Sequence, residues 1–216
     1  MSPDHWPTAF TARVAREMRE ARKAAGLTMA EVAQGCLDRG LELTEPTIKN
    51  LETGRRSSIT LADFVVLADV LGVPPVSLLF PLGKAATVEV LPRQEVSTWD
   101  ALTWFTGETP TEQPAPEGSA RDLLDVFRNH GDLVAAARAS RALARERRRM
   151  AGTTLDRAER ADRLKKAAGY EELAFEDCQE LRVFRDRMRD RNLVPPALPE
   201  ELAFVDQPEN HPEDSE

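Results

Sequence analysis

Residues 44–56, TEPTIKNLETGRR, decide the fold. Thr44 is a residue type that caps helix N-termini, Pro46 falls in the first turn where its missing N–H costs nothing, and Gly54 supplies a left-handed residue to end the helix. The predicted helix, residues 45–53, is about 14 Å long at about 1.5 Å per residue, a length that suits a DNA major groove about 12 Å wide. Helical spacing puts Ile48 and Leu51 on one face with Thr44 and Glu52. Pro46, Asn50 and Thr53 point the opposite way, with Thr47 and Lys49 on the flanks. One face packs and the other is free to read.

The neighbouring residues extend the pattern in both directions. Phe10, Val14, Met18 and Ala21 recur at helical spacing and Gly26 stops that run. Thr28 caps a second helix that turns Val32, Ala33 and Cys36 inward, where Cys36 is expected to act as a small apolar side chain. Thr60 and Asp63 read as a capping box ahead of Leu61, Phe64, Leu67, Ala68 and Leu71, with Gly72 as the stop. Pro74 and Pro75 then turn the chain, and Ser77 caps a fifth helix. Its Leu78, Leu79 and Phe80 either complete the core or contribute to a dimer contact.

The segments GLTMAEVA, TIKNLETGRR and LADFVVLADVLGV resemble the Cro/C1-type (XRE-like) family of helix-turn-helix regulators over residues 8–82. The resemblance implies a five-helix DNA-binding domain whose third helix reads the duplex. It also implies that Arg22, on the first helix, pairs with Glu52 on the third. Two departures are visible. GCLDRGLEL lengthens the stretch between Ala33 and Ile48, so that the second helix runs on to Arg39 with Gly40 as cap while Leu41 and Leu43 plug the core. Met29 stands where family members often carry a glutamine that touches a phosphate, so that contact is expected to be absent.

Within the reading helix the contacts divide by geometry. Asn50 can bond adenine through two groups and Lys49 can reach guanine acceptors, so these two, with Glu45 and Pro46 at the helix start, are expected at base edges. Arg55 and Arg56 follow the helix-ending glycine, where the DNA backbone passes; with Thr44 and Thr47 they are expected at phosphates.

The formal net charge of −8 contradicts nucleic-acid binding until it is divided along the chain. Residues 1–82 carry 9 basic and 10 acidic side chains, residues 83–120 carry 2 and 6, residues 121–191 carry 18 and 14, and residues 192–216 carry 0 and 7. The acidity lies in the middle and the tail. A near-neutral DNA-binding domain gains little from counterion release, so tight binding calls for two domains acting together.

Residues 83–120 shift to Pro, Thr, Glu and Gly and read as an acidic linker, with an alternating run at Thr87–Leu91 that predicts a short strand. Embedded in it are Trp99, Trp104 and Phe105, which either tuck against a helical domain or form an exposed anchor for a partner. Residues 121–205 read as an oligomerisation or interaction domain, a helical bundle or antiparallel coiled coil. Apolar stripes such as Leu123, Phe127, Leu133 and Ala137, then Leu173, Leu181, Phe184 and Met188, run against mixed charge, with breaks at His130–Gly131, Ala151–Gly152 and Gly169 and without a strict heptad. Leu198, Leu202 and Phe204 are expected to fold back over these helices, and the run of Arg145, Arg147, Arg148 and Arg149 is either a solvated face or an auxiliary phosphate contact. Residues 206–216 read as a disordered acidic tail.

The fold class is thus all-α. Two cysteines and three histidines are scattered without ligand spacing, so no metal and no cofactor are expected. Nothing pairs a nucleophile with a base, and no glycine-rich loop follows a strand, which argues against an enzyme. No stretch approaches the roughly 20 apolar residues a membrane span requires, and the expected location is cytoplasmic. The expected function is a sequence-specific DNA-binding transcriptional regulator, a dimeric repressor with double-stranded DNA as its partner. The alternative is an adaptor or antitoxin-like regulator controlled by a protein bound to the C-terminal helices.

Overall fold

A computed structural model describes residues 6–207, which form two compact units that divide after Pro110. Among the described residues no helix is long and apolar enough to cross a membrane.

In the first unit α1 (Trp6–Ala24), α2 (Met29–Asp38), α3 (Glu45–Glu52), α4 (Leu61–Val70) and α5 (Pro75–Leu79) enclose one core. Val14, Met18, Val32, Cys36, Ile48, Leu51, Leu67, Leu78 and Phe80 are all buried in it. Burial raises the Cys36 thiol pKa, as expected for a packing residue. Local signals explain the helix ends. Thr28 and Glu31 close both bonds of a capping box. Past Arg39 the chain turns at Gly40, whose φ of 79° needs no side chain to accommodate, and delivers Leu43 into the core. Gly35 lies where α2 meets α4 closely: a Cβ there would stand 2.9 Å from Val70 Cγ1.

Two local readings are corrected. Ser77 is not an N-cap: α5 begins at Pro75 behind Pro74, and the Ser77 hydroxyl donates to the Pro74 carbonyl at 2.7 Å. Thr60 does accept from the Asp63 N–H at 3.0 Å, but the Asp63 carboxylate turns to Arg56 instead of closing the capping box.

The stretch read as a linker is structured in its first part. After α5 the chain forms β1 (Thr87–Leu91), the strand expected, and then a second strand, β2 (Gln94–Ser97), which was not. The two pair antiparallel with Val88 opposite Val96, and Arg93 turns between them at a φ of 65°. Ser97 caps α6 (Thr98–Thr106) by accepting from the Asp100 N–H at 3.0 Å. Val88, Val90, Ala101 and Leu102 join the core of the five helices. Lys84 fastens the segment to α1 through Glu17, a buried carboxylate, at 2.7 Å. Trp99, Trp104 and Phe105 remain more than half exposed, although the Phe105 ring meets Phe80 edge-on at 5.5 Å.

The second unit is a hairpin of two 34-residue helices, α7 (Ala120–Thr153) and α8 (Arg157–Asp190). They run antiparallel, as the pairs Asp122–Arg191, His130–Arg185 and Arg148–Glu171 show. Two of the three expected breaks are absent: Gly131 and Gly169 lie inside continuous helix, and the chain turns only after Thr153, with Asp156 capping α8. A heptad is also present where none was expected. His130, Ala137, Ala144 and Ala151 are buried at seven-residue spacing on α7, and Ala167, Ala174, Leu181 and Met188 on α8. On α7 its occupants are too small or too polar to register as an apolar stripe, whereas Leu181 and Met188 on α8 belong to the stripe expected there.

The chain returns over the hairpin in a 3₁₀ segment (Glu200–Asp206) that buries Leu202 and Val205 against Ala137, Cys178 and Leu181. Phe204, expected as a packing residue, is 37% exposed and stacks under Arg141 at 4.4 Å. Asp206, assigned to the tail, accepts from Arg185 at 2.6 and 2.8 Å and from Arg189 at 2.6 Å. The rest of the tail, residues 208–216, lies outside the described residues.

Candidate nucleic-acid interface

Helix α3 is held by its inner face. Ile48 and Leu51 are 3% exposed, and beside them Glu52 accepts from Arg22 Nε at 2.6 Å and Nη2 at 2.8 Å. The third donor, Arg22 Nη1, reaches the Leu27 carbonyl at 2.8 Å. The bidentate bond raises the Arg22 pKa further. Arg22 is thus the residue that fixes how α3 is presented, as the resemblance implied.

The outer face carries the expected contact residues. Thr44, Glu45, Pro46, Lys49 and Arg55 are exposed, and Thr47, Asn50 and Arg56 are half-buried. Lys49 and Arg55 have no ion-pair partner among the described residues. Thr44 occupies the N-cap position, yet its side chain makes no cap bond; its hydroxyl meets that of Thr47 at 2.9 Å. The first N–H groups of α3 are therefore left without a side-chain cap, a polar edge at the positive end of the helix. Thr53 donates to the Lys49 carbonyl at 2.7 Å, and Gly54, at φ 72°, lets the chain double back so that the Arg56 N–H reaches the Asn50 carbonyl at 3.0 Å.

Arg56 differs from its neighbour. Its Nη2 donates to Asp63 at 2.9 Å, and Asp63 is 9% exposed, so the guanidinium is partly committed to anchoring the α3–α4 turn. Asp63 was missed as a member of this cluster. The available signal was an acid in the first turn of α4, seven residues after an arginine in the preceding loop.

This arrangement, a buried helix pair presenting a short third helix by its polar side, agrees with the comparison to known families: residues 13–79 match the family described as Helix-turn-helix domain. The segment is a Cro/C1-type helix-turn-helix domain. No curated protein and no solved structure matches the chain significantly. The helix-turn-helix domain points to a DNA-binding regulator. Within it α2 packs against α3, and Met29, at the start of α2, is partly buried against the core.

Proposed function

We propose that the protein is a sequence-specific DNA-binding transcriptional regulator, a homodimeric repressor acting in the cytoplasm. In this reading residues 8–82 dock on the major groove, and residues 121–205 hold two copies together. Glu45, Pro46, Lys49 and Asn50 face base edges, and Thr44, Thr47, Arg55 and Arg56 hold phosphates. The observation that carries the reading is the outer face of α3, where Lys49 and Arg55 stand exposed and unpaired while the Arg22–Glu52 pair fixes the inner side. Arg55 is the purer phosphate contact, because Arg56 also serves Asp63.

Selection of binding sites from random duplex DNA gives the operator on which the division of labour can be measured. Asn50→Ala should cost about 1–3 kcal/mol at one base pair and relax the preference there. Arg55→Ala should weaken binding to all sequences alike and lower the salt slope by about one. An Asn50→Ala protein that keeps every base preference, beside an Arg55→Ala protein that changes one, would reverse the assignment. Light scattering at micromolar concentration should return the mass of a dimer; a monomer removes that half of the proposal.

A second reading is an adaptor or antitoxin-like regulator whose partner binds the C-terminal helices; separate from it, the exposed Trp99, Trp104 and Phe105 of α6 offer a partner an anchor of a kind common at interfaces. Protection of these tryptophans from a soluble quencher in the isolated protein would dispose of that anchor.

A further inference from the structure

The hairpin seam repeats one arrangement twice, and the described residues fill only one copy with a returning segment. At the first level Ala137 and Leu181 make an apolar floor, Leu202 of the 3₁₀ segment sits on it fully buried, and Glu201 places its carboxylate on Arg138 at 2.8 Å. One heptad further along, the same positions hold Ala144, Ala174 and Arg145. No second returning segment of the described chain lies at that level, although Ala144 and Ala174 are each only 6% exposed among their neighbours. What remains is a groove of about 380 Å³, with Ala144, Ala174 and Cys178 as its floor and Phe175 and Phe204 at its sides.

The rim is cationic and underused. Arg141, Arg145 and Arg148 line it from α7, and a single acid, Glu171, faces them from α8. Among the described residues Glu171 pairs with Arg148, at 3.7 Å. Arg145 makes no direct ion pair among the described residues, and the acid that feels its charge, Glu201, is bonded to Arg138. Arg141 lies over the Phe204 ring and keeps a buried Nε with no hydrogen-bond partner there. A buried donor of this kind is satisfied at little cost by an anionic oxygen.

We propose that this groove binds a small amphipathic organic carboxylate, its apolar body on the Ala144–Ala174 floor and its carboxylate on Arg145 and Arg141. The first level of the seam shows the chemistry, because the chain's own occupant there is an aliphatic side chain next to a carboxylate on the equivalent arginine. The volume limits the size, since cavities of about 300–1,000 Å³ hold single small molecules, whereas a partner helix needs a longer track. The assignment is independent of how α3 reads DNA.

The test is isothermal titration of the full chain with 2-naphthoate, beside 2-naphthol, its uncharged analogue of similar size. Saturable binding at one site per chain is expected, weakened about tenfold for 2-naphthol and for Arg145→Glu, the scale of losing a charge-assisted hydrogen bond. Phe175→Ser, at a side chain 63% exposed and therefore tolerated by the fold, should weaken it as well. Absence of saturable heat, or equal affinity for acid and alcohol, or an Arg145→Glu protein that binds as well as the parent, overturns the proposal. A dimer that Arg145→Glu converts to a monomer would assign the groove to a second copy of the chain and overturn it too.

Discussion

The two units bury their interiors in opposite ways. The helix-turn-helix unit gathers large aliphatic and aromatic side chains from many short elements into one core, with Leu67, Ile48, Leu51 and Phe80 at its centre. The hairpin instead brings two long helices together over Ala137, Ala144, Ala151, Ala167 and Ala174, and it buries an arginine and a histidine where a core would place leucine. Stability in the first unit rests on apolar area removed from water. In the second it depends on close approach and on polar groups that satisfy one another, which makes the seam sensitive to different changes.

The largest expected difference concerns two paired arginines, Arg185, which is buried, and Arg22, which is partly so. Arg185, 3% exposed, donates to Asp206, to the Pro196 carbonyl at 2.8 Å and to His130 Nε2 at 2.6 Å, so it joins α7, α8 and the returning chain. Its replacement by alanine should cost about 3–5 kcal/mol, the range for breaking a buried ion pair. Arg22→Ala, which leaves Glu52 buried with only the distant Arg19 at 3.9 Å, should cost about 3 kcal/mol. The two losses can be read separately. Trp6, Trp99 and Trp104 all lie in the first unit, so tryptophan fluorescence follows it alone, while circular dichroism reports both units, α7 and α8 supplying about half of the helix. A fluorescence transition shifted by Arg185→Ala as strongly as by Arg22→Ala would break the comparison.

Changes of volume should act with opposite sign. In the first unit shrinking hurts: Leu67→Ala should cost about 2–5 kcal/mol through lost burial and the cavity left behind. In the hairpin enlarging hurts: Ala137→Leu, at a position with no exposed surface, should cost about 1–3 kcal/mol. Denaturant midpoints of the two variants, read by the matching probe, would sharpen the comparison. An Ala137→Leu protein more stable than its parent would show that the seam is underpacked instead.

The smallest effect expected is that of pH. Burial lowers the His130 pKa, as does the nearby Arg185 charge, while Asp206 opposes them. The folded state therefore keeps His130 neutral and accepting from Arg185 while the unfolded chain takes up a proton near pH 6.5. The hairpin should be fully stable above that value and lose stability as the pH falls below it. The Asp206 pKa is held low chiefly by its bond from Arg185, so its contribution persists above the carboxylate range and is lost only as the pH falls through its folded value. Melting by circular dichroism at pH 7.5 and 5.5 should show the first step, and His130→Gln, whose amide oxygen can still accept from Arg185, should remove it. His130 is the one histidine among the described residues, and the tryptophan transition should stay level over the same interval.

The sequence by itself determined the helix-turn-helix unit, because the signals that specify it are local. Thr28, Gly54 and Gly72 mark helix ends by chemistry that acts within a turn, and leucine, isoleucine and phenylalanine at helical spacing announce a buried face without reference to partners. The outward set on α3 was legible for the same reason, since a face that does not pack is the complement of one that does. Tertiary structure alone decided the rest. Lys84 reaches Glu17 across 67 residues, β2 exists because β1 lies beside it, and Arg56 takes up Asp63 only once α3 and α4 are folded. Glycines 131 and 169 stay inside continuous helix, and the heptad of histidine and alanine on α7 becomes a seam only when α8 lies against it. Small and polar residues carry too little transfer free energy to declare themselves buried; they become a core through the partners that surround them.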